Sequence, residues 1–146
     1  MFYFAYGSNL NHKQMRERCP NSKFFKRAYL EGYMFVYDGY SSFRKGSVAN
    51  IVPKEKSIVW GALWEIDGDC LKTLDRYEGY PYSYERKIVK VKDDSGKEYD
   101  AWVYYREGKK EGRPSEGYRN IILEGAKECN LPEDYIEEFI KQKAKI

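Results

Sequence analysis

The stretch from Ser57 to Ile66 restricts the fold more than any other. Val59, Gly61, Leu63 and Glu65 alternate with Ile58, Trp60, Ala62, Trp64 and Ile66, and both sets are largely apolar. Alternation with a period of two marks a strand, and a strand that is apolar on both faces must be covered on both. It is therefore expected to be central in its sheet. Gly61 marks a point of close approach, either by another backbone or by a ligand.

Shorter elements surround it. Met1 to Ala5 is aromatic or apolar and reads as a buried strand, which Gly7 and Ser8 break. Asn11 with Gln14 three residues on forms a capping box, predicting a helix to about Arg18 that Cys19-Pro20-Asn21-Ser22 ends. Phe24 to Tyr37 reads as one bent strand or a hairpin, interrupted at Glu31-Gly32 and closed by Asp38-Gly39. Val48 to Pro53 reads as a short strand stopped by its proline. Asp67 to Tyr77 is a predicted helix ended by Gly79 and Pro81; strands Tyr84 to Val91 and Glu98 to Arg106 follow, joined by a turn at Asp93-Asp94-Ser95-Gly96. Ser115 is the expected N-cap of a helix that carries Tyr118, Ile121, Ile122, Gly125 and Ala126 along one side. Leu131-Pro132 starts a last helix with Ile136, Phe139 and Ile140 inward, fading through Lys141 to Ile146. Irregular alternation of strands with short helices, hairpins included, indicates an α+β fold, and six or so strands can close into a small mixed β-barrel flanked by those helices. Residues 1–146 fit one domain without repeats or linkers.

Charge and cysteine content narrow the function classes. The 26 basic and 23 acidic residues are interspersed, which speaks against a nucleic-acid binder with its basic stripe. Frequent Lys and Glu are also a habit of thermophile surfaces. No run is long and apolar enough for a membrane span. Cys19, Cys70 and Cys129 are far apart and His12 is the sole histidine, so no zinc-ligand set is expected; the thiols read as core fillers in a reducing, cytoplasmic setting. The excess of 15 Tyr over 7 Phe suits cavities that meet polar ligands, because each tyrosine adds a hydroxyl to its apolar ring.

Two places carry candidate chemistry. A strand ending in Gly7-Ser8-Asn9 before a helix leaves backbone N–H groups unpaired, a donor set suited to a carboxylate or an oxyanion. A plain turn satisfies the same residues. In Leu74-Asp75-Arg76-Tyr77-Glu78-Gly79, Glu78 falls four positions after Leu74 and seven after Leu71, on the leucine face of the helix. Burial there raises a carboxyl pKa toward neutrality, as a general acid/base requires. A frayed helix end, or a structural pairing with Arg, explains Glu78 without function. Ser8 with His12 is a weaker candidate dyad, and neither phosphate-loop nor dinucleotide glycine patterns occur.

Tyr6-Gly7-Ser8-Asn9-Leu10, Trp60-Gly61-Ala62-Leu63-Trp64, Leu74-Asp75-Arg76-Tyr77-Glu78-Gly79 and Pro114-Ser115-Glu116-Gly117-Tyr118, in this order, resemble the γ-glutamylcyclotransferase family, as does Gly125-Ala126-Lys127-Glu128 followed by Leu131-Pro132. The resemblance implies a small barrel whose cavity takes a γ-glutamyl group. It implies substrate binding by backbone amides of Tyr6, Gly7, Ser8, Asn9 and Leu10, a general acid/base role for Glu78, and a ligand contact by Tyr118. Tyr84 matches a further pocket tyrosine, after a loop from Tyr80 to Ser83 one residue shorter than in the animal enzymes. The implied reaction is attack of the substrate's α-amine on its own γ-carbonyl, releasing an amine and 5-oxoproline without metal or cofactor. The competing readings are a non-catalytic small-metabolite-binding protein of the same fold and, further off, a single-stranded RNA binder. Tyr37 to Gly46 and Glu107 to Arg113 are the expected pocket loops that select the leaving amine. Either a monomer or a homodimer is compatible with the sequence.

Overall fold

The computed structural model describes residues 1–142. Five strands form a closed barrel in the order β1-β3-β2-β4-β5: β1 Phe2–Ala5, β2 Lys23–Ser41, β3 Gly46–Glu65, β4 Glu85–Lys92 and β5 Glu98–Tyr105. β1 closes the barrel by pairing antiparallel to β3 and parallel to β5, which makes the sheet mixed. The expected central strand is the second half of β3. Its residues Ala62 to Glu65 have β1 on one side and β2 on the other. Of the two partners expected for Gly61, a backbone is the one present, since a Cβ there would meet the Ala5 carbonyl and the Phe4 ring.

The strand count is five and not six because Pro53 does not end its strand. Pro53 faces Tyr33 at a register shift, where residues 54–57 lie between the partners of Tyr33 and Glu31, and β3 continues beyond it. An irregularity of this kind accommodates the missing N–H of proline. Asp38-Gly39 likewise is a register shift and not an end, as β2 runs on to Ser41. The bent-strand reading of Phe24 to Tyr37 holds, with its bend at Glu31/Tyr33.

Among the described residues four helices flank the barrel: α1 His12–Arg18, α2 Gly68–Glu78, α3 Glu116–Glu128 and the single turn α4 Glu133–Tyr135, which continues as a π-helical turn Ile136–Ile140. Asn11, Asp67 and Ser115 cap the first three by accepting from Gln14, Cys70 and Tyr118 amides. Ile136 and Ile140 are buried and Phe139 packs partly buried beside them; the fading expected through Ile146 extends to residues 143–146, outside the described residues. No helix among the described residues is long and apolar enough to cross a membrane.

The reading of all three cysteines as separate thiols is overturned. Cys19 at the end of α1 and Cys70 in the first turn of α2 form a disulfide, with Cα atoms 5.3 Å apart, while Cys129 is free and buried. Fifty-one residues of sequence separation say nothing about this proximity, which arises because the two helices pack against each other.

Candidate active site

α2 delivers Glu78 as its last residue. The leucine face is real: Leu74 is fully buried, Leu71 packs against the core, and Glu78 continues the row. The helix does not fray before it. Gly79, at φ +67°, turns the chain in the left-handed region, and the amides of Gly79 and Tyr80 close back on the Arg76 and Asp75 carbonyls. Asp75 is more than a flank charge: it accepts two bonds from Arg86, at 2.8 and 3.2 Å, and one from the Tyr104 hydroxyl at 2.7 Å. These bonds tie α2 to β4 and β5 one turn before Glu78.

Glu78 lines a cavity of about 820 Å³. As a residue it is half-buried, its remaining surface opening into that cavity while protein surrounds the carboxyl elsewhere. Burial lifts its pKa from an ordinary 4.5 to about 7, and the nearby guanidinium groups of Arg18, Arg44 and Arg106 only partly offset this. Among the described residues Glu78 forms no ion pair, so structural pairing with Arg does not account for it.

Gly7, Ser8 and Asn9 line the same cavity. Between β1 and α1 the chain makes one 3-10 turn, Ser8–Leu10, whose first bond runs from the Leu10 amide to the Gly7 carbonyl at 2.9 Å. The Ser8 and Asn9 amides precede that bond and are the orphan donors of the turn. The side chains beside them are fixed: Gln14 donates to Ser8 Oγ and Asn9 Oδ1, Arg18 donates to Asn9 Oδ1, and Asn9 donates to the Tyr3 hydroxyl. Leu10 differs from its expected place. Its side chain is fully buried in the core and its amide is spent within the turn. Gly125 lets α3 lie against this segment, since a Cβ there would strike the Leu10 and Asn11 backbone. The Ser8-His12 dyad does not form. His12 packs against Phe24 and edge-on to Trp64, with both ring centroids 5.0 Å away, and its Nε2 is 3.4 Å from Cys129 Sγ.

Tyr6, Tyr84 and Tyr118 also line the cavity, and each hydroxyl is committed to the backbone. Tyr6 donates to the Tyr104 carbonyl at 2.8 Å. Tyr84 donates to the Ala49 carbonyl at 2.7 Å, and the Ala49 amide donates to the Tyr118 hydroxyl at 3.0 Å, so two tyrosines hold one residue of β3 at the cavity wall. Burial pushes the Tyr118 phenol up to about 12 and raises Tyr84 further, so both remain neutral at physiological pH.

The arginines carried no legible signal in the sequence. Arg106 Nη1 lies 2.7 Å from Asp38 Oδ1, both side chains almost fully buried, in an ionic contact without the alignment of a hydrogen bond. Arg44 donates to Gln14 and stacks on the Tyr118 ring at 5.0 Å; burial lowers its pKa, helped by the like charge of Arg18. Tyr40 to Arg44 and Lys109 also line the cavity, so parts of both expected pocket loops reach it. Among the described residues no cluster of three or more His, Cys, Asp or Glu side chains is arranged to hold a metal.

Residues 58–139 match the model of the AIG2-like family. The chain is 34% identical over 142 residues to the human protein named γ-glutamylcyclotransferase, covering 94% of this chain and 76% of that one. It is 31% identical to the mouse protein of the same name, with the same coverage. A solved structure named γ-glutamyl cyclotransferase superposes with a TM-score of 0.92 at 32% identity, covering 99% of this chain and 88% of the other. The chain thus belongs to the AIG2-like, γ-glutamylcyclotransferase family of enzymes.

Proposed function

We propose that this protein is a γ-glutamyl cyclotransferase that releases 5-oxoproline from a γ-glutamyl amine or amino acid. The observation that carries the proposal is a single cavity holding a carboxyl group with a pKa of about 7 together with the orphan amides of Ser8 and Asn9. The turn holds the substrate's oxygens, and the wall of tyrosines keeps the glutamyl chain folded. Glu78, as carboxylate, takes a proton from the substrate's α-ammonium, and the freed nitrogen pair attacks the γ-carbonyl carbon. The five-membered ring closes, negative charge develops on the carbonyl oxygen opposite the amides, and the carbon–nitrogen bond to the leaving amine breaks as Glu78 returns its proton to that nitrogen. Holding amine and carbonyl together makes attack intramolecular, a contribution of roughly 7 to 11 kcal/mol in favourable systems. The α-ammonium loses two protons in becoming the ring N–H: the first reaches the leaving nitrogen through Glu78, and the second leaves the attacking nitrogen once the ring has closed and protonates the freed amine, so no cofactor enters the balance.

The proposal includes a soluble small-molecule substrate, no nucleic-acid or membrane partner, action as a monomer or homodimer, and a cytoplasmic setting. The Cys19–Cys70 bridge is uncommon in mesophile cytosol and common in hyperthermophile proteins, and such a setting has to accommodate it. The test is incubation with γ-glutamyl peptides and γ-glutamyl amines while 5-oxoproline is measured. Ring closure by the parent protein and none by Glu78→Gln, with substrate binding kept, is the expected result. Saturable binding without product would make it a metabolite-binding protein of the same fold.

A further inference from the structure

The most exposed aromatic side chains are concentrated at the mouth of the cavity. Tyr82 is 96% exposed, Phe43 83%, Tyr40 74% and Tyr77 59%, more than any other exposed aromatic among the described residues, and all four line the same cavity as Glu78. Exposed apolar surface gathered in one place marks a binding surface, whereas scattered residues need no explanation. Tyr40 and Phe43 come from the β2–β3 hairpin, Tyr77 and Tyr82 from the end of α2 and the loop after it. Two of the rings are backed by guanidinium groups, with Arg18 4.1 Å from the Tyr77 centroid and Arg44 5.3 Å from that of Phe43. Neither arginine has a carboxylate partner among the described residues.

The direction of the substrate follows from the chemistry above. With the α-amine and γ-carbonyl folded together between Glu78 and the opening turn, the substituent on the leaving nitrogen is the part left to extend toward the mouth. A cavity of about 820 Å³ is larger than a glutamyl group alone fills, near the upper end of the roughly 300 to 1,000 Å³ seen for ligand sites. We propose that Tyr40, Phe43, Tyr77 and Tyr82 form the subsite for the leaving amine, and that it selects γ-glutamyl compounds whose leaving amine carries an aromatic ring. This rests on the cyclotransferase reading and adds a substrate class to it.

The experiment compares kcat/KM for γ-glutamylphenylalanine and γ-glutamylalanine in the parent protein, Phe43→Ala and Tyr82→Ala. Both side chains are exposed, so the variants keep the fold. A ring–ring contact corresponds to about a 2- to 10-fold effect, so the parent is expected to prefer the phenylalanine compound by at least about tenfold through several such contacts. Each variant is expected to shift the ratio of the two kcat/KM values toward one. Turnover of both compounds at equal kcat/KM, or variants that leave the ratio unchanged, would overturn the subsite while leaving the cyclotransferase reading in place. No 5-oxoproline from either compound, nor from a wider panel of γ-glutamyl amines, would overturn that reading and the subsite with it.

Discussion

Replacing Glu78 by glutamine separates the catalytic role proposed for this residue from its cost to the fold. Burial raises the carboxyl pKa from 4.5 to about 7. At about 1.4 kcal/mol for each tenfold change in acidity, keeping Glu78 ionised in the folded protein costs on the order of 3 kcal/mol. The sign is fixed by which state binds the proton. Between pH 4.5 and 7 the folded protein holds a proton that the unfolded chain has already lost, so rising pH through this window destabilises the fold. The full cost is present above about pH 7 and absent below 4.5. Glutamine carries no such charge. Urea unfolding of the parent and Glu78→Gln is therefore expected to differ by a small constant at pH 4.5, with the variant gaining up to about 3 kcal/mol relative to the parent by pH 8. The same group should give kcat/KM an acid limb that rises through pH 7, and the glutamine variant should form no 5-oxoproline. A stability difference that stays flat from pH 4.5 to 8, or a variant less stable at pH 8 than at pH 4.5 relative to the parent, would show that the carboxyl is not desolvated.

Three further substitutions test the supports of the site. Arg106→Ala leaves the Asp38 carboxylate, whose side chain is only 1% exposed, without its counter-ion and with only the Lys109 amide and the Asn50 side chain as donors, and should cost about 3 to 5 kcal/mol in urea unfolding; a loss under about 1 kcal/mol would mean the pair is not needed. Tyr118→Phe removes the acceptor of the buried Ala49 amide, for an expected loss of about 1 to 3 kcal/mol and a raised KM, since the cavity wall is released; an unchanged thermal midpoint would contradict it. Reducing the Cys19–Cys70 bridge, or replacing both residues with serine, reopens a loop spanning 51 residues in the unfolded chain and should cost about 2 to 4 kcal/mol, read as a lower thermal midpoint with reductant.

What could be read ahead of the structure was local in sequence. The leucine spacing of α2 with Gly79 after it was enough to place Glu78 on the inward face, because helical periodicity needs only neighbouring residues. The two-faced apolar pattern of Ser57 to Ile66 likewise identified the central strand, since burial on both sides leaves its mark at every position. Failures came where the outcome depends on distant partners. Pro53 looks like a strand end until a register shift against Tyr33 supplies a place for it. Cys19 and Cys70 meet only after two helices dock on the barrel. Asp38 reads as a turn residue, yet it is buried because Arg106, the Lys109 amide and the Asn50 side chain reach it across β2, β3 and the chain after β5. Leu10 shared a motif with true cavity residues, and only packing against α3 separates it from them.

The two halves of the site sit on opposite ends of one short mechanical chain. The donor turn is held from α1, where Gln14 and Arg18 fix Ser8 and Asn9; the carboxyl group is held from α2, where Asp75 binds Arg86 and Tyr104. The disulfide joins the end of the first helix to the start of the second. In the proposed reaction the spacing of amide donors and proton carrier therefore depends on how α1 and α2 dock, while Tyr40 and Phe43 of the hairpin line the mouth and Arg44 behind them donates to Gln14. Ring closure needs its reacting atoms held within a fraction of an ångström, whereas the leaving amine needs only to be accommodated. On the proposed function, the bridged helices carry the first task and the hairpin tip the second, so Phe43→Ala is expected to change the choice of leaving amine more than the rate of ring closure for γ-glutamylalanine.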